Sequence, residues 1–292
     1  MTARVVTFAC GLAIVLQIPA RSQVLTFRAA VDVVTVPVSV ADRNQPVSGL
    51  TAADFRVLDN GVAQTISAVA QEALPIDVTL LLDTSASVEG QALDRFKTAV
   101  ANVTGSLAPN DRVRLVTVGS SVRDVAGLQP GGLRLGLDGL VPGGGTSLYN
   151  ALATALIAAP RIDRLQLILC FTDGLDTTSF INAPEVIRAA RRSAALLYIG
   201  LTPAGTGSGV LYAGGPNTQA LRDAAETTGG QLFETRAKDD MQGFFNRALE
   251  TVRAGYVLRY SLEGVPRLGW HELKIQTANH RFTVRARKGY DG

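Results

Sequence analysis

Between residues 76 and 255 the sequence alternates short, almost wholly apolar runs with longer segments whose apolar residues recur every three or four positions. The runs are "VTLLLD", "RVRLVTVG", "LQLILCFTD" and "ALLYIGLTP", followed by a shorter "QLFET". A strand with one wet face alternates polar and apolar residues; these runs do not, so both of their faces must be covered. The intervening segments supply the cover. In "GQALDRFKTAVANVTGSL", Leu93, Phe96, Val100, Val103 and Leu107 form one helical stripe, and "SLYNALATALIAA", "APEVIRAARRSA", "NTQALRDAAETTGG" and "DDMQGFFNRALETVRAG" also read as helices. Strand and helix in strict alternation predict an α/β fold, a doubly wound, mostly parallel sheet over 76–255.

The flanks have another character. Residues 23–75 carry the β-branched run "VDVVTVPVSVAD", a helical turn near Ala52 to Phe55, and "FRVLDNGVAQTISAVA", a hairpin turning at Asp59-Asn60-Gly61, residues that tolerate positive φ. Residues 256–292 return to strand patterning in "YVLRYSLEG", "WHELKIQT" and "HRFTVRARKGY". Neither flank has enough strands for a core of its own. They are expected to pair into one small β-sandwich-like module, with Trp270 packed inside it and the α/β domain inserted between. The long flexible loop is expected at Thr202 to Asn217, where glycine is dense.

The first 22 residues read as an export signal: Arg4, then the apolar stretch Val5 to Ile18, then Ala20-Arg21-Ser22 as a cleavage pattern. Removing Arg4 and Arg21 leaves 26 basic against 25 acidic residues, and no run of like charge that would suit nucleic acid. The mature chain is expected outside the cytoplasm, periplasmic or secreted, with no membrane span. Cys170 would then be a lone cysteine in an apolar strand, a small core residue rather than a nucleophile. Two histidines, His271 and His280, are too few for zinc chemistry or a Ser-His-Asp hydrolase.

In open parallel sheets ligands sit beyond the carboxyl ends of strands. Three oxygen-rich segments fall there: Asp83-Thr84-Ser85-Ala86-Ser87, "PGGGTSLYNAL" from Pro142, and "CFTDGLD" with Asp173. Each has a plain structural role available, as an Asx turn or a helix cap, and Asp176 reads as a loop cap. Together the hydroxyls and two carboxylates also suit a hard divalent cation that keeps an open position. An aspartic-protease reading of "LLLDTSAS" lacks a paired carboxylate on an all-β scaffold. A phosphatase reading has Ser85 where a second carboxylate is needed, and "GGGTS" lacks the lysine of a phosphate loop.

Asp83-x-Ser85-x-Ser87, Thr146 after its glycine run and Asp173 in Thr172-Asp173-Gly174 resemble the metal-ion-dependent adhesion site of von Willebrand factor A domains. The flanks resemble those of bacterial, acidobacterial-type exported relatives of that family, in Leu50 to Gln64 and Val284 to Tyr290. The resemblance implies that Asp83, Ser85, Ser87, Thr146 and Asp173 hold Mg²⁺ or Mn²⁺. It also implies a protein partner presenting Asp or Glu, no catalysis, and a last helix, Asp239 to Ala254, able to shift. A structural module with a non-functional metal site, or a hydrolase using Asp83, is the alternative.

Overall fold

A computed structural model describes residues 33–43, 45–71, 74–133, 135–158, 163–202, 216–234 and 241–292. The expected export signal and most of the glycine-rich loop lie outside the described residues. In chain order the first strands are β1 (Val33–Asp42), β2 (Gln45–Pro46), β3 (Phe55–Asp59), β4 (Val62–Gln64) and β5 (Ile66–Ala70), with a 3₁₀ turn at Ala52–Asp54. The α/β part follows as β6 (Ile76–Asp83), α1 (Gln91–Gly105), β7 (Arg112–Val118), β8 (Val122–Pro130), α2 (Leu148–Leu156) and β9 (Leu165–Thr172). It continues through α3 (Ala183–Arg192), β10 (Leu196–Leu201), α4 (Pro216–Thr227), β11 (Gln231–Glu234) and α5 (Met241–Arg253). The last strands are β12 (Tyr256–Ser261), β13 (Trp270–Thr277), β14 (Thr283–Ala286) and β15 (Gly289–Asp291).

The central sheet has the order β11-β10-β9-β6-β7-β8. Its neighbours run parallel except β7 and β8, which form an antiparallel pair at the edge. Strand β8 has no counterpart in the apolar pattern of the sequence: most of its residues are exposed, so no apolar run marks it. β6 explains the unbroken "VTLLLD". Leu80 and Leu82 are fully buried in a cluster with Phe96 of α1 and Phe245 of α5. Leu81, also fully buried, belongs to a second cluster with Leu152 of α2, Val186 of α3 and Leu221 of α4. Each such leucine contributes roughly 1.5–3 kcal/mol by leaving water. Cys170 is buried in the same second cluster, and burial pushes its thiol pKa up, as fits a packing residue.

The flanking strands form two antiparallel sheets, β14-β1-β12-β5 with β2 on β1, and β15-β13-β3-β4. Val36, Phe55, Val57, Tyr256, Leu258 and Tyr260 are buried together in one cluster. The hairpin β3–β4 turns at Asn60 and Gly61 with φ of 46° and 81°. It is shorter than the sequence pattern suggests, because β5 leaves it to pair with β12. Trp270 is not a core residue. It is 36% exposed, with the Arg191 guanidinium of α3 5.0 Å from its ring centroid.

One buried carboxylate organises this region. Asp59, fully buried, takes hydrogen bonds from the hydroxyls of Tyr260 and Tyr290, each 2.8 Å, and lies 2.7 Å from His271 Nδ1. His271 stacks on Tyr290 with ring centroids 4.5 Å apart.

The β region meets the α/β part along two lines. The chain passes from Arg253 of α5 to Tyr256 of β12 through only two residues, where a Cβ at Gly255 would lie 3.0 Å from the Val38 carbonyl. Further on, the Lys288 N–H donates to the Thr227 carbonyl at 3.0 Å, Arg287 donates to the Arg191 carbonyl at 3.1 Å, and Arg192 pairs with Asp291 at 2.7 Å.

Candidate metal centre at the strand ends

The strand order reverses beside β6, whose neighbours β7 and β9 are reached by connections running in opposite directions. That is where a crevice forms in this class of sheet. The three oxygen-rich segments meet there. Backbone bonds tie the first to the second: Gly143 N–H to the Thr84 carbonyl at 2.9 Å and Ala86 N–H to the Gly144 carbonyl at 3.1 Å. The second is tied to the third by Thr177 and Thr178 N–H groups on the Thr146 carbonyl, at 2.9 and 3.1 Å, and by Thr146 N–H on Thr177 Oγ1 at 2.8 Å.

The glycine run makes this approach possible. At Gly144, φ is 72° and a Cβ would overlap Ser120 Oγ. At Gly145 a Cβ would lie 2.6 Å from Thr178 Cγ2. A side chain at 145 would push the second and third segments apart, and one at 144 would push away the β7–β8 turn.

Asp83 closes β6 and is fully buried. Its Oδ1 accepts from Ser85 N–H at 2.9 Å and from Ser85 Oγ at 2.6 Å, while Thr172 Oγ1 donates to Oδ2 at 2.8 Å. Burial nevertheless pushes its pKa up to about 6. The Ser85 and Thr172 hydrogen bonds oppose that push, and the nearby negative charge of Asp173 adds to it. Ser85 is buried, and its hydroxyl lies 3.0 Å from that of half-buried Ser87. Thr146 is buried just ahead of α2. Asp173 accepts at Oδ1 from Leu175 N–H at 3.0 Å, but its Oδ2 is buried with no hydrogen-bond partner.

Two expectations about helix capping resolve differently. Ser147, at the N-cap of α2, makes no capping bond to that helix; its hydroxyl bonds the Ser120 carbonyl and Thr178 Oγ1. The cap comes from the third segment instead: Asp176 Oδ1 takes Tyr149 N–H at 3.0 Å and Ser179 Oγ takes Asn150 N–H at 3.1 Å. Asp176, expected to cap its own loop, caps helix α2 instead. Nothing in the sequence pattern marks Thr172, whose hydroxyl bridges two strands from the end of an apolar run.

Among the described residues no three His, Cys, Asp or Glu side chains cluster as a metal site. The donors here are two carboxylates and a set of hydroxyls, all hard oxygen. An orphaned carboxylate oxygen beside a second buried carboxylate is an arrangement that costs free energy unless a cation or a proton offsets it. On that ground the residues fit a divalent ion such as Mg²⁺ or Mn²⁺. On the segments that carry these loops, Phe180 and Val141 stand 97% and 81% exposed.

Residues 78–175 match the family model of the von Willebrand factor type A domain. No curated protein matches the chain. Among solved structures the chain is similar to a von Willebrand factor type A protein from Catenulispora acidiphila, at 15% identity and TM-score 0.48, covering 82% of this chain and 72% of that one. It is also similar to the conserved hypothetical protein BatB from Bacteroides thetaiotaomicron, at 15% identity and TM-score 0.46, covering 61% of this chain and 98% of that one. A third is proximal thread matrix protein 1 from the mussel byssus, a structure with a zinc-occupied MIDAS motif. It is 13% identical with TM-score 0.49, covering 66% of this chain and 49% of that one.

Proposed function

From the von Willebrand factor type A domain that this chain carries, we propose that it is a divalent-metal-dependent protein-binding module that captures an acidic side chain of a partner. Such domains are typically protein-interaction modules rather than enzymes. The observation that carries the proposal is the unpartnered, buried Oδ2 of Asp173 beside the buried carboxylate of Asp83. In this reading Asp83, Ser85, Ser87, Thr146 and Asp173 hold Mg²⁺ or Mn²⁺. With only two carboxylates among those ligands, the bound ion keeps positive charge and offers a coordination position to a partner's Asp or Glu. Ser85 and Thr172 hold Asp83 in place; the glycine run, tied to Thr84 and Ala86, keeps the Thr146 segment beside the Asp83 loop. No residue of the set is assigned a catalytic role.

The proposal also takes the protein as exported after loss of residues 1–22, with 76–255 as the A domain between β segments 23–75 and 256–292. Among the described residues no helix is long and apolar enough to cross a membrane. One observation favours the structural alternative: both Asp83 oxygens already have donors, so the loop holds its form without an ion. Calorimetric titration of Mg²⁺ and Mn²⁺ into the chelator-stripped protein separates the two. Binding abolished in Asp83→Ala and weakened in Thr146→Ala supports the metal site. Absence of binding to folded wild type, with and without an acidic peptide present, leaves the structural alternative.

A further inference from the structure

A second polar feature opens beside the candidate metal centre. Between the β7–β8 hairpin and the segment that leads into the glycine run lies a crevice of about 570 Å³. That is within the size range of ligand sites, roughly 300–1,000 Å³. Thr84, Gly143 and Gly144 line the end nearest the proposed metal; Val125 and Val141 form apolar walls. Arg123 is the one charged residue of the lining.

The hairpin is anchored to the site. Gly145 N–H donates to Ser120 Oγ at 2.9 Å, and Ser147 N–H to the Gly119 carbonyl at 2.8 Å. Arg123 Nε donates to Ser121 Oγ at 3.3 Å, which directs the guanidinium toward this anchored turn. Among the described residues no carboxylate pairs with it, whereas Arg112, Arg164, Arg192, Arg222 and Arg253 each pair with one.

The sheet register fixes the distance scale. Thr117 of β7 stands opposite Leu82 of β6, one residue before Asp83, and Arg123 of β8 stands opposite Thr117. Arg123 is therefore two strand spacings from the end of β6, about 10 Å between backbones. In an extended peptide, residues i and i+2 point to the same side and are about 7 Å apart. The reach of a guanidinium and a carboxylate covers the remainder.

We propose that the crevice is a second subsite of the same partner surface, in which Arg123 takes a second acidic side chain two residues from the one that reaches the metal. This rests on the metal-dependent reading of the site. The partner is thus a protein segment with the pattern acidic-x-acidic in extended conformation. Its intervening residue passes over the crevice mouth.

The test is fluorescence anisotropy in Mg²⁺ with three labelled, glycine-flanked peptides: one aspartate alone, Asp-Gly-Glu, and the charge-matched Gly-Asp-Glu. Wild type is expected to bind Asp-Gly-Glu about tenfold tighter than the single aspartate, as a charge-assisted pair would give, and tighter than the adjacent-charge peptide. Arg123→Gln removes that preference while its Mg²⁺ titration and its affinity for the single aspartate stay at the wild-type values. Equal binding of all three peptides by wild type, or an unchanged preference in Arg123→Gln, overturns the subsite and leaves the metal site standing. Loss of all peptide binding in wild type, together with no Mg²⁺ binding, overturns both.

Discussion

Strand β6 carries an aspartate near each of its ends, and the two are treated in opposite ways. At the entry, Asp77 is clamped by Arg112 and Arg164, the latter at 2.6 Å, and these cations hold its pKa below the ordinary value against the opposing effect of burial. At the exit, Asp83 is more deeply buried, has only hydroxyl and amide donors, and has a second carboxylate beside it. Within one strand, a charge whose counter-charge is built in gives way to one whose counter-charge is not. The difference follows the polarity of the sheet: the amino ends of parallel strands are free to serve stability, while the carboxyl ends face the crevice. Asp59 in the β region is a third case: three side chains from distant strands, Tyr260, His271 and Tyr290, converge on it and tie those strands together.

The largest effect that tests this division is expected at Asp59. Asp59→Ala would strand the hydroxyls of Tyr260 and Tyr290 and the buried ring of His271, at a cost of about 4 kcal/mol in urea unfolding. A cost below about 1 kcal/mol would mean that the network is incidental. Asp77→Ala should cost about 2 kcal/mol, because it leaves two partly buried guanidinium groups facing each other. The sign of its pH dependence follows from the lowered pKa. The stabilisation is complete above the unfolded value, 3.8, and is lost as pH falls below it through the folded value. Acid unfolding curves of wild type and Asp77→Asn should therefore converge as pH drops below that value.

The smallest change in stability is expected at Asp83. In the metal-free protein Asp83→Asn should stay within about 1 kcal/mol of wild type or rise above it, because it removes a buried charge and its repulsion from Asp173. Metal titration should meanwhile fail. A loss as large as that at Asp59 would make Asp83 a structural residue and remove the contrast between the two ends of β6.

The parts of this molecule legible in its sequence are those whose signal is local. Most of "LQLILCF" is buried, on both faces of the sheet, so its unbroken apolarity marks β9. Asp83, Ser85 and Ser87 lie within five residues, and the α/β alternation says where such a cluster sits. What escaped has partners far along the chain or no apolar signature. β8 is an exposed edge strand, and its Arg123 reads as an ordinary surface charge until Thr117 is placed opposite it. Asp59 reads as a turn residue because its partners lie more than 200 positions away. The cap of α2 comes from Asp176 and Ser179, which no pattern around Ser147 could indicate.

The β region grips the α/β part both through the short α5–β12 link and through Arg287, Lys288 and Asp291 on the side of α3 and α4. A rigid plate fastened along two separate seams does not pivot about either one. Sliding α5 along its axis, the shift suggested for the last helix, would have to shear the second seam or bend β12. Such a displacement becomes a torsional load on the whole plate rather than a free stroke. Heating should then release both parts in one calorimetric peak, and a clip at either seam alone should leave the other still carrying the load.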